Sequence, residues 1–292
     1  MKPAPFDYVR PDTVAEVCTI LAGDENARII AGGQTLVPML AMRLARPTRL
    51  IDVLRLPGLS GIRRDGDAMV FGAATRQVEA ERSAMVAKDL PLLSRALPWV
   101  GHPPTRNRGT VGGSIANADP SAEIPLVAVT LEAELIIEDT DGEMPMAADD
   151  FFMGPMFTAM PLSGCLTAVR FPIWQAPHLG VGFHEVSARK SDFAFVSAAA
   201  QVALDEEGIC TRVALGIGGV GDRAMKLDVE GLVGSRLDAK EIDDAVATAV
   251  ETLEATSDLH ASASYRQRVA RALGAQAVIS ALADARKHEG RP

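Results

Sequence analysis

Cysteine is scarce: three residues, at positions 18, 165 and 210, in a chain of 292. They form no CxxC pair and no Cys/His cluster, which excludes a zinc-finger-type site or a cysteine-ligated iron–sulfur cluster within this chain. The odd count and wide spacing are those of a reduced, cytoplasmic protein without structural disulfides. Positive charge is also short. Lys and Arg number 29 against 38 Asp and Glu, a net charge of −9, which argues against general nucleic-acid binding. No apolar run is long enough to insert in a membrane, and the opening MKPAPFDYVRPDT lacks the apolar core of a signal peptide. Hydrolytic signatures are missing too: there is no GxSxG, no HExxH and no GxxxxGK[ST], and the five histidines are scattered.

What is present is ordinary globular composition, 48% hydrophobic and 23% charged. The length is enough for two domains at roughly 150 residues each. TVAEVCTILAG (13–23) predicts a helix. Thr13 and Glu16 match a capping box, and Val14, Val17, Cys18 and Leu21 share one face, with Cys18 read as core. RII is a short strand, LVPMLAMRL begins a helix with Pro38 in its first turn, and RLIDV is another strand. AMVFGAAT (68–75) is a strand followed by helical patterning to about residue 97. After the segment 106–120, Asp119 or Ser121 caps a helix whose body is IPLVAVTL. AELIIE and CLTAVRF are strands, and PIWQAPHLG (172–180) is the best linker. Beyond it GVGFHEVSARK, AFVSAAAQVAL and CTRVALGIGGV predict an antiparallel meander, then helices over 240–256 and 264–286. GIGGVG (216–221) matches G-x-G-x-x-G, but no βαβ unit surrounds it, so it reads as a turn.

Two glycine-rich segments stand out. RIIAGGQTLVPML (28–40) and RNRGTVGGSIANADP (106–120) each place Gly-Gly beside a hydroxyl residue. The second is too glycine-rich for a helix interior and too polar for a buried strand. Successive backbone N–H groups in such turns make anion-binding nests, and glycine lets the backbone approach phosphate oxygens. Gly32, Gly33, Gln34 and Thr35 follow a strand and precede a helix; Thr110, Val111, Gly112, Gly113 and Ser114 offer a second array. Together they suggest a phosphate-bearing cofactor. The arginines of RLARPTR and RNR read as solvated or salt-bridged surface.

AGGQTLVPMLAMRLARPTRLIDV (31–53) and TRNRGTVGGSIANADPSAEIPLVAVTLEAEL (105–135) resemble the two flavin loops of the FAD-binding medium subunit of molybdenum hydroxylases. That family includes bacterial carbon monoxide dehydrogenase and is related to the flavin domain of xanthine dehydrogenase. The resemblance continues in DDFFMGPMFTAM (149–160), FHEVSARKSDFAFVSAAAQV (183–202) and SASYRQRVARAL (262–273). It implies an α+β fold: a two-subdomain FAD-binding domain of vanillyl-alcohol-oxidase type, residues 1–175 with subdomains about 1–56 and 57–175, then a C-terminal domain, 180–288, with an antiparallel sheet packed on helices. By position, Ala31, Gly32, Gly33, Gln34, Thr35 and Leu36, with Thr110, Val111, Gly112, Gly113 and Ser114, would wrap the FAD diphosphate through backbone N–H groups. Asp119 and Glu123 match acidic positions near the cofactor; Asp119 is equally placed as a helix cap. Phe183 or His184 falls where relatives set an aromatic or a lysine beside the flavin. His184 departs from the lysine of some relatives, leaving Arg189 or Lys190 to favour negative charge there. Pro104 and Thr105 stand where many relatives have Gln and Ile, and Asn117 where many have His.

The resemblance also implies a relay. A large molybdopterin subunit would oxidise substrate, a small subunit with 2Fe–2S clusters would pass electrons to non-covalent FAD on this chain, and the assembly would be a dimer of heterotrimers. This chain would hold no catalytic side chain and no metal. Two alternatives are a flavin-free scaffold subunit of the same complex and a stand-alone flavin oxidase.

Overall fold

A computed structural model describes residues 2–287; Met1 and His288, at the ends of the two expected halves, lie outside the described residues. The chain opens with β1 (Asp7–Val9), α1 (Val14–Gly23), β2 (Arg28–Ile30), α2 (Leu36–Ala41) and β3 (Arg49–Asp52). The strands form a parallel sheet in the order β1–β3–β2. At the start of α1, Thr13 Oγ1 accepts from Glu16 N at 3.2 Å. The Glu16 carboxylate accepts from Asp12 N rather than from Thr13 N, so the capping box closes one residue early. Val17, Cys18 and Leu21 are buried as the spacing requires.

The second unit runs through β4 (Ile62–Asp65), β5 (Ala68–Gly72), α3 (Gln77–Arg82), α4 (Ala84–Asp89), α5 (Pro91–Ala96), α6 (Pro103–Arg108), α7 (Val111–Asn117) and α8 (Glu123–Thr130). It continues with β6 (Glu134–Asp139), β7 (Gly142–Ala147), α9 (Ala148–Phe151), the small hairpin β8 (Phe152–Gly154) and β9 (Phe157–Thr158), and β10 (Cys165–Pro172). Five strands make an antiparallel sheet in the order β4–β5–β10–β6–β7. The helical stretch expected up to residue 97 is broken in two places. Ser83 Oγ accepts from Val86 N and starts α4, and Pro91 opens α5 because it has no N–H to continue the previous turn.

The segment 106–120, expected as loop, is largely helical. α7 holds both Gly112 and Gly113 in its first turn, where Thr110 caps it. Glycine's poor helix propensity is overridden there by a close tertiary contact described below. Ala118, at φ 49°, ends α7. Neither Asp119 nor Ser121 caps α8: its N-cap is Ala122, and Asp119 Oδ1 instead accepts from Ser121 N at 2.9 Å.

After Trp174, which is buried beneath the Arg212 guanidinium at 3.9 Å from the ring centre, comes an antiparallel meander. It comprises β11 (His178–Ser187), β12 (Ala194–Leu204), β13 (Cys210–Gly218) and β14 (Met225–Leu227), paired in sequence order. α10 (Ala239–Val250) and α11 (Ala263–Arg286) follow. α10 stops before the expected residue 256. The sheet is buried on both sides, which explains the nearly continuous apolar run of β12. Val196, Ala198, Ala200 and Val202 face α10 and α11 in one core. Val181, Phe183, Ala199 and Ala203 join the core of the second unit. Among the described residues, no helix is long and apolar enough to cross a membrane.

Arg266, on α11, is the polar exception in this core. Its guanidinium donates to Phe195 O at 2.6 Å and Gly219 O at 2.5 Å, and to Asp258 Oδ2 at 2.6 Å. Phe195 lies at the start of β12 and Gly219 just past the end of β13, so one side chain ties these two neighbouring strand ends together. Backbone N–H groups of Ala261 and His260, with Arg266, hold the Asp258 carboxyl at about 2. Replacing Arg266 by Leu strands two carbonyls, and the denaturation midpoint should fall by the equivalent of about 3 kcal/mol; an unchanged midpoint would mean the guanidinium is dispensable.

Candidate functional site

A cavity of about 820 Å³ opens where the two N-terminal units meet. One wall is the loop that leaves β2, Ala31 to Leu36. The opposite wall combines Ala73, Ala74 and Gln77 after β5 with Gly109, Thr110, Gly112, Gly113 and Ser114. Asp119 and Glu123 close one side, and Ser191, Asp192 and Phe193 from the β11–β12 turn reach its edge.

The first loop presents free donors. Gly33 takes φ +70°, and the first helical bond of α2 runs from Val37 N to Gly33 O at 2.9 Å. Among the described residues, the N–H groups of Gly32, Gly33, Gln34, Thr35 and Leu36 donate to no protein acceptor. The Gln34 side chain turns back to Gly32 O. Such a cluster of unpaired backbone N–H groups at a helix entrance can bind an anion without a cation.

The second segment differs from its expected role as a second donor array. Val111 N donates to Thr75 O and Gly112 N to Ala73 O, both at 2.9 Å. Gly113 N donates to Thr110 Oγ1 at 3.0 Å and Ser114 N to Thr110 O at 3.1 Å. These groups pin the first turn of α7 to the chain after β5. The glycines serve that packing too. A Cβ on Gly112 would stand 2.6 Å from Ala73 Cα, and one on Gly32 would overlap Arg108 O and lie 2.8 Å from Gly109 Cα. At these two positions protein backbone, rather than a phosphate, occupies the space that a side chain would need.

Three expected residues do not line the cavity. Val111 is fully buried in the core. Phe183 points into the same core, its ring 6.0 Å from that of Trp99. His184, one residue on, faces the other side of the sheet, and its Nε2 lies 2.9 Å from Ser280 Oγ on α11; burial and Arg95 lower its pKa. Alternation along β11 makes it impossible for both to face the cavity, and the register brings neither there. Arg189 and Lys190 are exposed outside it.

Asp119 and Glu123 do reach the cavity. Burial raises the Asp119 pKa, and the Ser121 N–H partly offsets this. Glu123 is nine-tenths buried. Burial pushes its carboxyl up to about 7, against the lowering effect of its own backbone N–H and of Arg106, and Asp119 adds to the rise. Two further residues went unseen in the sequence. Gln77 is buried on the cavity wall, its Nε2 directed at Thr110 O and its Oε1 without a partner among the described residues. Arg106, read as surface, is only 7% exposed. It grips Glu81 at 2.8 and 3.0 Å and donates to Val100 O and Gly101 O, holding the turn that forms one rim. No periodicity marks either residue.

The site is set between two small α/β units and backed by an antiparallel sheet. Residues 4–174 match the family model described as "FAD binding domain in molybdopterin dehydrogenase". Residues 182–281 match "CO dehydrogenase flavoprotein C-terminal domain". The chain is 38% identical to the 6-hydroxypseudooxynicotine dehydrogenase complex subunit alpha of Paenarthrobacter nicotinovorans, covering 100% of this chain and 98% of that one. It is 34% identical to the carbon monoxide dehydrogenase medium chain of Afipia carboxidovorans, covering 98% and 100%. The solved structure of quinoline 2-oxidoreductase from Pseudomonas putida 86 superposes with a TM-score of 0.91 at 36% identity, covering 97% of this chain and 99% of that one. The chain belongs to the family of FAD-binding medium subunits of molybdenum hydroxylases, an oxidoreductase family.

The packing role of Gly112 has a direct consequence. Gly112→Val should destabilise even the cofactor-free chain by about 1–3 kcal/mol, read as a lower urea midpoint. A cofactor-free chain of unchanged stability would return Gly112 to a purely ligand-facing role.

Proposed function

We propose that this chain is the FAD-carrying electron-transfer subunit of a heterotrimeric molybdenum hydroxylase. It takes electrons from the 2Fe–2S clusters of a small partner subunit and passes them to an external acceptor, while a large partner subunit carries the molybdopterin and oxidises the substrate. The assembly is a dimer of heterotrimers in the cytoplasm. Domain limits of 1–175 and 180–288 accompany this reading. The observation that carries it is the run of N–H groups from Gly32 to Leu36, unpaired among the described residues, on the wall of a cavity near the upper end of the roughly 300–1,000 Å³ range of cofactor sites.

FAD supplies chemistry that joins one-electron carriers to a two-electron acceptor. The chain's own residues bind and shield it. The Gly32–Leu36 amides and Ala31 would hold the diphosphate, stabilising its charge by oriented dipoles. Thr110, Gly112, Gly113 and Ser114 build the facing wall, and Val111 anchors that wall in the core. Asp119 and Glu123 would accept hydrogen bonds from cofactor hydroxyls. Ile30, Leu36, Met160 and Leu166 give the lining its apolar share and exclude water. Phe183 and His184 act at one remove, through the core and through α11. Burial pushes the Cys165 thiol up to about 12, so the cysteine in the cavity wall stays an unreactive thiol. That supports a non-covalent cofactor.

The purified chain should be yellow, and heat denaturation should release the chromophore into the supernatant as intact FAD. Adding the reduced small subunit should bleach the flavin absorbance without any organic substrate. A colourless chain that takes up no added FAD, or turnover of a small substrate by this chain alone, would contradict the proposal.

A further inference from the structure

The cavity wall contributed by α3 holds a buried amide whose hydrogen bonding is half complete. Gln77 opens α3, is only 5% exposed and lines the cavity. Its backbone N–H donates to Gly109 O at 3.0 Å. Its Nε2 faces Thr110 O at 3.4 Å, a long and weak bond. Oε1 is buried and has no donor among the described residues. The orientation follows from these neighbours. Exchanging the two ends of the carboxamide would set Oε1 against the Thr110 carbonyl, acceptor facing acceptor, so the unsatisfied atom is an acceptor.

Gly109 makes room for that atom. A Cβ on Gly109 would stand 2.5 Å from Gln77 Oε1 and 2.8 Å from its Cδ. The same glycine receives the first loop, since a Cβ on Gly32 would lie 2.8 Å from Gly109 Cα. Oε1 therefore sits beside the seam where the donor loop meets the opposite wall. In FAD the diphosphate is flanked by hydroxyl groups, those of the ribityl chain on one side and of the adenosine ribose on the other. A hydroxyl has a proton to donate, and the amides of the first loop cannot accept it.

We propose that Gln77 is a cofactor-binding residue: its Oε1 accepts a hydrogen bond from a sugar hydroxyl adjoining the diphosphate. This deepens the flavin reading of the cavity given above and rests on it. The terminal torsion of glutamine is broad, and the weak bond to Thr110 O lets the carboxamide tilt until Oε1 meets the hydroxyl on the side that Gln77 lends to the cavity. The bond fixes where along the cavity the diphosphate comes to rest. It also selects against a cofactor without that hydroxyl, which would leave a buried acceptor unpaired.

The test is an affinity cycle on the full chain, read by flavin fluorescence. The parent and Gln77→Met are each titrated with FAD, with FAD deoxygenated at single positions of the ribityl chain, and with FAD deoxygenated in the adenosine ribose. Methionine is unbranched like glutamine, fills the same space and cannot replace the acceptor. Gln77→Met should bind FAD about tenfold more weakly than the parent does. One deoxy analogue should bind the parent about tenfold more weakly than FAD, and Gln77→Met should bind that analogue and FAD equally well. The position of the missing hydroxyl then identifies the donor as ribityl or ribose. Gln77→Leu gives the same cycle with a shorter side chain, should methionine crowd Gly109. Parent-like FAD affinity in both variants would overturn the proposal. So would a loss of the same size for FAD and every analogue, which is the mark of a purely structural glutamine. A parent chain that binds no flavin would refute the flavin reading and this proposal with it, whereas a parent that binds FAD without the expected coupling refutes this proposal alone.

Discussion

The close approach of Gly32 to the Arg108–Gly109 peptide sets the geometry of the whole site. A methyl group at Gly32 would overlap the Arg108 carbonyl, so only the absence of a side chain lets the loop after β2 lie against the second unit. Gly112 makes the same kind of approach to Ala73. These contacts turn two surface loops into the facing walls of one cavity. They also divide the labour between the walls. The amides of α7's first turn are consumed by Thr75, Ala73 and Thr110, while those from Gly32 to Leu36 have no acceptor among the described residues.

On the proposed flavin reading, the neutral N–H donors of the first loop would meet the anionic part of the cofactor, and the acids Asp119 and Glu123 its hydroxyl groups. Charge that would disturb this balance is tied down elsewhere: Arg106 is turned inward to Glu81 and the rim carbonyls. Behind the cavity, Arg266 fixes the ends of β12 and β13, and Gly219 N carries that constraint to Pro120 O. The C-terminal sheet is in this way a support for the acidic side of the site as well as a core of its own.

Much of the fold was legible because its elements carry strong periodicity. α1, α10 and α11 repeat apolar residues at helical spacing, and the meander has long apolar runs between turns. β1 and β4 were not legible, since three or four largely exposed residues leave no alternation to read. α7 was hidden for a different reason: its two glycines argue against a helix locally, and only the contact with Ala73 shows why they are tolerated. In the site, the glycine loops and the two acids were readable as motifs, but the use of their atoms was not. Whether an amide is free or paired depends on which strand end lies beside it, and Thr75 and Ala73 are distant in sequence from Gly112 in a way no local pattern records. The orientations of Phe183 and His184 depended likewise on which face of β11 the rest of the chain covers.

Amide hydrogen exchange resolved to single residues, with and without FAD, tests this account most directly. The amides from Gly32 to Leu36 should exchange rapidly in the cofactor-free chain and become strongly protected when FAD binds, whereas those of Val111, Gly112, Gly113 and Ser114 should be protected in both states. Protection of residues 111–114 that appears only with FAD, or first-loop amides already protected without it, would contradict the one-sided cradle.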